Sequence, residues 1–426
     1  MKPELHYDLL ISGAGAPGLA LALQAARAGL KVALVDRGRD PRQAGQGSDL
    51  RSAALLAGPK RYLQSLDAWP DADATPLRRL TLLDSGRLTA TPSRQLDFDA
   101  AAHGLDALAW NVPNQALRAM LARQAAAEPS LTLAFGQQIV ALDLSGAHPR
   151  IQMSASQSAH SAQSEAASVS QTERQSVTAT MLVAADGAKS PVRASAQISL
   201  SPLSRRRATQ RALTGRVTHS RSLDETSYEF QRPGGPLTLV PCSLSAAQPA
   251  RTAFVWSEDH AQAERLRSLT DADFLLRFER ASEGLLGDIH ALAGRGAFPI
   301  RPQLAASLYR GAVAVMAEAA HVYPPSGAQG MNTSLADAAM LGDLLAARGL
   351  EDVPRLLRQY QASRLPDHLA RYAATGGLSA MTRLSDPLGQ AFRRFGFRWL
   401  ASGQVRQTAL VRFGATPFGP APRSFG

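Results

Sequence analysis

The sequence predicts an α/β protein with two structural regions: a parallel sheet begun by an N-terminal βαβ unit, and a second, mostly antiparallel sheet further along the chain, followed by C-terminal helices. Three observations predict it. A strand, a glycine turn, a helix and a second strand open the chain within about thirty residues. Short β-prone runs cluster between residues 211 and 298. A strand, a proline- and glycine-rich loop and a strong helix then follow over residues 311–348.

Taken in order, residues 7–12 are apolar and β-prone, residues 19–28 are helix-forming, and residues 31–35 are apolar again. Gly29 sits where a helix C-cap belongs. Residues 116–127 predict a helix, followed by strands at 131–133 and 139–144. Residues 154–176 form a Ser/Gln/Ala tract with almost no large apolar side chain. Such a tract cannot bury enough surface to offset its ordering entropy, so a mobile loop or hairpin extension is expected. A buried strand returns at 180–184, and the runs 227–230, 237–240 and 252–256 supply the second sheet. A strand at 311–316 and a helix at 333–348 complete the pattern, without a fixed-period repeat.

Composition narrows the class. At 426 residues and 45% apolar content the chain suits a folded protein with a large core. No run reaches the roughly 18–20 apolar residues that a spanning helix requires. Residues 1–8 lead straight into a strand rather than into a secretory signal, and Cys242 is the sole cysteine, so no intramolecular disulfide or CxxC pair is available. A cytoplasmic location is the expectation. The formal charge of +11 comes from 46 basic and 35 acidic residues, nearly all of the basic ones arginine. Such a surface attracts anionic lipid, nucleic acid or an acidic cofactor. Zinc spacings, RNP-like aromatic strands and dense basic helices are missing, so neither nucleic acid nor a metal is an expected partner.

Three stretches carry chemistry. Gly13-Ala14-Gly15-Ala16-Pro17-Gly18 is GxGxxG directly after a strand and directly before a helix. Gly13 allows the tight turn, Gly15 lets a pyrophosphate approach the backbone, Gly18 permits close packing of the helix, and the helix N-terminus offers unpaired N–H groups to phosphate. Asp36, followed by Arg37, ends the second strand, where a carboxylate can accept from a ribose diol. This site alone suits NAD or FAD. The second stretch, residues 182–193, is a strand ending in Asp186-Gly187, with Arg193 placed to neutralise phosphate or to hold Asp186. The third runs from Val313 through Glu318 and His321 to Pro325, Gly327, Gln329, Gly330, Met331 and Asn332, where a second helix start can face an electron-rich ring edge.

Together these stretches resemble the ubiquinone-biosynthesis hydroxylases, a branch of the class A flavin monooxygenases that also includes para-hydroxybenzoate hydroxylase. Further segments are similar to that branch: Asp49-Leu50-Arg51-Ser52-Ala53-Ala54-Leu55, Val112-Pro113-Asn114-Gln115-Ala116-Leu117-Arg118, Gly235-Pro236-Leu237 with Val255-Trp256, and the C-terminal Arg364-Leu365-Pro366-Asp367 and Phe392-Arg393-Arg394-Phe395. The resemblance implies a Rossmann-like FAD-binding domain of the glutathione-reductase type, with an interleaved mixed or antiparallel substrate domain and C-terminal helices. Residues 1–75, 106–200 and 301–350 would form the FAD-binding part, 76–105 and 201–300 the substrate part, and 351–426 the helical end. It places Arg51 near the FAD diphosphate and Gln115 beside the cofactor.

The activity implied is hydroxylation of a phenolic, prenylated quinone precursor by O2 through a flavin C4a-hydroperoxide, with NAD(P)H or another donor as reductant. No catalytic acid or base is assigned. His321 reads as a hydrogen-bonded spacer rather than a proton shuttle, Trp256, Tyr228 and Phe230 as core in preference to the lining of a substrate cavity, and Cys242 as a small buried apolar residue. Residues 392–413 interleave arginines with aromatic and aliphatic residues, which suits an interfacial helix pair at the inner face of the cytoplasmic membrane, a quinone-biosynthesis complex, or plain core packing with a solvated basic face. One departure stands out: the family writes Gly-Asp where this chain has Ala317-Glu318. The carboxylate is kept but reaches about one carbon–carbon bond further. A lowered FAD affinity or a shifted pose is expected, and the alternative reading is an accessory homologue that kept the fold and lost the flavin.

Overall fold

The computed structural model describes residues 5–43, 49–84, 94–156, 175–204, 210–232, 234–242, 249–325, 327–382, 408, 411 and 416–426. The strand Leu5–Ser12 pairs in parallel with Val32–Asp36 on one side and Gln175–Ala184 on the other. The sheet continues through Leu131–Phe135 beyond Val32–Asp36, and through Val313–Val315 and Tyr309–Arg310 beyond Gln175–Ala184. Leu9, Leu10 and Ile11 are all fully buried, so this strand is covered on both faces. That explains its unbroken apolar run.

Helix Ala16–Arg27 crosses between the first two strands and ends in a Schellman cap. Gly29 takes a φ of 90°, and the N–H groups of Gly29 and Leu30 donate to the carbonyls of Ala26 and Ala25 at 2.9 and 3.2 Å. The cap expected at Gly29 is therefore formed. Strands Arg150–Ala155 and Gln175–Ala184 pair antiparallel, so the serine-rich tract joins the two arms of a hairpin. Its residues 157–174 lie outside the described residues, as does most of the segment 392–413.

The second sheet orders Ile289–Ile300, Gln210–His219, Ala250–Asp259, Leu237–Pro241, Thr226–Gln231, Arg79–Asp84 and Arg94–Asp99. All its pairs are antiparallel except Thr226–Gln231 with Arg79–Asp84. One face buries Leu213, Phe230, Phe254 and Trp256 against Phe274 and Phe278 of helix Asp271–Ala281. Trp256 and Phe230 are thus core residues, with Tyr228 packed beside them, and the indole N–H of Trp256 donates to Glu258 at 3.0 Å. Cys242 is only partly exposed, and burial pushes its thiol up to about 11, which keeps it protonated and inert.

The helix expected from residue 333 begins at Gln329 instead and runs to Arg348. Gly330 lowers the propensity of its first turn, but Ala328 in a left-handed conformation, φ 55°, turns the chain sharply enough to start the helix there. A thirty-residue helix, Val353–Thr382, packs on it and reaches the edge strand Tyr309–Arg310.

Candidate functional site

The C-terminal ends of the parallel strands open on a cleft of about 460 Å³. Gly13, with φ 112°, turns the chain out of the first strand, and a methyl group there would fall on the Ala185 carbonyl. A methyl on Gly18 would fall on the carbonyl oxygen of Gly13. Both positions therefore demand glycine for steric reasons. At Gly15 an added methyl would meet only Pro17 Cδ, at an ordinary contact distance of 3.7 Å, and the residue lines the cleft. Gly15 is also the N-cap of helix Ala16–Arg27 and brings no capping side chain, so the first-turn N–H groups stay available for an anion.

Of the residues predicted for the site, Gly13, Gly15, Ala16, Pro17, Asp36, Arg37, Arg51, Asp186, Glu318, Gly330 and Met331 line this one cleft. They come from five separate parts of the chain. Asp36 accepts from the N–H groups of Ala14 and Gly38, both at 2.6 Å, and so braces the glycine turn as well as lining the cleft. Ala14, Gly18, Gln115, Pro325, Gly327, Gln329 and Asn332 are not among the lining residues. Ala14 and Gly18 shape the turn from behind. Asn332 ties the second helix to the chain at Ala54 and Leu56, with bonds of 2.8 Å each. The Gln329 amide is engaged with the Arg371 guanidinium and the Gly327 carbonyl.

On helix Asn114–Ala126 the cleft takes Asn114 and Arg118 rather than Gln115. These two are four residues apart and share a face, a spacing visible in the sequence. Arg118 donates from Nε to the Ala14 carbonyl at 3.0 Å, so it supports the glycine turn and adds positive charge beside it. The Asn114 Oδ1 is buried without a partner.

Charge is distributed along the cleft. Asp49 receives two hydrogen bonds from the Arg51 guanidinium, at 2.9 and 2.8 Å. Burial raises the Asp49 carboxyl, yet Arg51 outweighs it and holds the group below the usual carboxylate range. Asp186 is pushed up by burial despite its bonds to Ser190 and Val192, and its Oδ1 has no partner. Arg193 is committed elsewhere: its guanidinium donates to the carbonyls of Ala319 and Ala188 at 2.7 and 3.0 Å, knitting the Asp186 turn to the third stretch.

At the far end, the 3-10 turn Ala317–Ala319 and His321 border the cleft. Ala317 is left-handed, φ 53°, the conformation for which the family glycine is suited. His321 is buried, stacks on Tyr323 at 4.7 Å and bonds through Nε2 to Asp337 at 3.0 Å. Its role as a hydrogen-bonded spacer fits that geometry. Asp337 also receives Arg364 at 2.8 Å and His368 at 2.7 Å. Burial alone would raise this carboxyl, but His368, Arg364 and the His321 bond hold it well below the carboxylate range. Although donor atoms of His321, Asp337 and His368 lie within 4.8 Å of one another, Arg364 already neutralises the carboxylate. The cluster is an ion-pair hub.

A cleft lined by two helix starts, by Gly15 without a capping side chain, and by orphaned acceptors on Asn114 and Asp186 fits a dinucleotide. This fold and cleft define a protein built on an FAD-binding domain. The profile of the FAD binding domain family matches residues 6–371, and the chain belongs to that family. It is 29% identical over 380 residues, 87% of this chain and 80% of the other, to Ubiquinone hydroxylase UbiL of Rhodospirillum rubrum. With 3-demethoxyubiquinol 3-hydroxylase of Escherichia coli it shares 25% identity over 369 residues, 85% of this chain and 86% of the other. The fold matches p-nitrophenol 4-monooxygenase PnpA from Pseudomonas putida with a TM-score of 0.74 at 17% identity, over 96% of this chain and 97% of that one.

Proposed function

We propose that this FAD-dependent monooxygenase hydroxylates the ring of a phenolic, prenylated ubiquinone precursor. The observation that carries the reading is one continuous cleft that joins the GxGxxG helix start to the Glu318 and Gly330–Met331 end. The names of the two relatives at 29% and 25% identity supply the substrate class.

In this reading the first-turn N–H groups after Gly15 hold the diphosphate, with Arg51 and Arg118 adding positive charge, and Asp36 receives the adenosine ribose. Glu318 takes the ribityl hydroxyls, and Gly330 and Met331 present backbone N–H groups to the ring edge. When bound, FAD supplies the redox chemistry that activates O2, with NAD(P)H or another donor as reductant. The protein orients the phenol and excludes water around it.

The apolar substrate favours a peripheral site at the inner face of the cytoplasmic membrane, with residues 392–413 as the contact. Among the described residues no helix is long and apolar enough to cross a membrane. Liposome flotation of a chain truncated before Phe392 tests this: retained binding counts against the contact. For the activity, mass spectrometry of quinone precursors in a deletion strain is decisive. Accumulation of an intermediate lacking one ring hydroxyl is expected, and an unchanged quinone pool would redirect the reading to another aromatic compound.

A further inference from the structure

The cleft-bordering turn and the C-terminal helix meet on one side chain. Through Oδ2, Asp337 accepts from the Ala317 N–H at 3.2 Å and from His321 Nε2 at 3.0 Å. Through Oδ1 it accepts from Arg364 Nε at 2.8 Å and His368 Nε2 at 2.7 Å, both on helix Val353–Thr382. Between those two on the helix, Asp367 pairs with Arg364 at 3.0 Å and with Arg371 at 2.9 Å. Arg371 in turn grips Gln329 at the start of the second helix and the Thr416 carbonyl at 2.7 Å. Asp337, Arg364 and His368 are fully buried and do not line the cleft.

Glu318 stands between the two points at which Asp337 holds the chain. The first of those points, Ala317, is an L-residue in a left-handed conformation, which persists only where surrounding bonds impose it. We infer that Asp337 is a positioning residue: it hangs the Ala317–His321 turn, and with it Glu318, from the C-terminal helix, so that residues remote from the ligand set the ring-end grip on FAD. The inference rests on the FAD reading and adds to it a second layer of residues, 337, 364 and 368, of which only Arg364 falls in a segment matched to the family, and there without a role. Arg364 keeps Asp337 ionised, and an ionised carboxylate can accept from all four donors at once.

Two paired substitutions separate positioning from bulk stability. Asp337→Asn with Arg364→Met removes both charges and leaves an amide oxygen for the Ala317 N–H. Asp337→Leu with Arg364→Met removes the acceptor as well. Neither pair strands a buried charge. Hydrogen exchange over residues 316–323 is measured without flavin, and the FAD Kd by flavin fluorescence. The leucine pair is expected to exchange faster and to bind FAD about tenfold or more weakly than the asparagine pair at a similar melting temperature. Equal exchange and equal Kd in the two pairs would overturn the inference. Should neither pair fold, His321→Phe decides, since it keeps a ring on Tyr323 but gives up the bond to Asp337. Wild-type exchange and Kd in that variant defeat the inference, and faster exchange with weaker binding supports it. A wild-type chain that took up no FAD would sink the functional reading, while the exchange data would still decide the clamp.

Discussion

At one end of the cleft, six consecutive residues from Gly13 to Gly18 build the wall with backbone, whereas at the other the turn at Ala317–His321 is held by side chains from two distant helices. The first end needs small residues and a helix start, with Asp36 and Arg118 bracing the turn at Ala14. The second needs a buried carboxylate, a guanidinium and two imidazoles in balance. Steric fit tolerates changes of pH and salt, while a buried charge balance fails as soon as one member is lost or titrated. The two ends should therefore respond to different insults.

The sharpest contrast comes from Arg364→Leu. This leaves Asp337 ionised and uncompensated at zero exposure, which costs about 3–5 kcal/mol. Denaturant unfolding should show a loss of that order, with residues 316–331 exchanging fastest. A loss under ~1 kcal/mol would mean that the hub is not the support of the ring end.

Acid should strike the same end. Burial, against the pull of Asp337, depresses His368 from 6.5 to about 4, with the His321 ring and Arg364 also beside it. A base with a lowered folded value binds its proton more readily when unfolded. Its stability contribution is thus intact above about 6.5 and lost as pH falls toward 4, up to ~3 kcal/mol. Melting temperatures measured from pH 7 to 4 should fall across this window, and His368→Gln, which keeps an N–H for Asp337, should flatten that part of the slope. Identical pH profiles for the two proteins would remove His368 from the account.

What was legible in the sequence follows the same division. The diphosphate end is local: strand, glycines, helix and Asp36 lie within one βαβ unit, and each is recognisable from residue type and spacing. Arg118 was within reach too, as the i+4 partner of Asn114, but the motif drew attention to Gln115 instead. The hub was hidden. Asp337 and His368 sit inside helices among ordinary residues, Arg364 stands in a family-like segment that assigns it no role, and only the packing of helix Val353–Thr382 on helix Gln329–Arg348 turns the three inward together. Gln329 and Asn332 show the converse: they stand in the expected loop, yet their side chains serve the scaffold.

At the diphosphate end the matching test is Gly18→Ala. The added methyl meets the Gly13 carbonyl, a backbone atom that cannot swing aside, so the helix must shift from the turn. Overpacking of this kind costs about 1–3 kcal/mol. FAD uptake should fall with it, and the loss should be the same at pH 7 and pH 5. A pH-dependent defect would erase the distinction between the ends.

The smallest effect runs in the opposite direction and bears on the departure at Ala317-Glu318. Ala317 adopts φ 53°, and glycine relieves the steric cost of that conformation while losing some entropy advantage in the unfolded chain. Ala317→Gly should therefore stabilise the protein by about 0.5–1 kcal/mol, read as a modest rise in melting temperature. Ala317 borders the cleft, so the same change should tighten FAD binding if crowding there weakens the grip. Stabilisation without tighter binding would locate the departure in the folding of the turn, and would leave the reach of Glu318 to account for any difference in affinity. Destabilisation would show that the bond from Ala317 to Asp337 holds the left-handed turn well enough for alanine to be the better residue, and the ring end would then be more rigid than its side-chain construction implies.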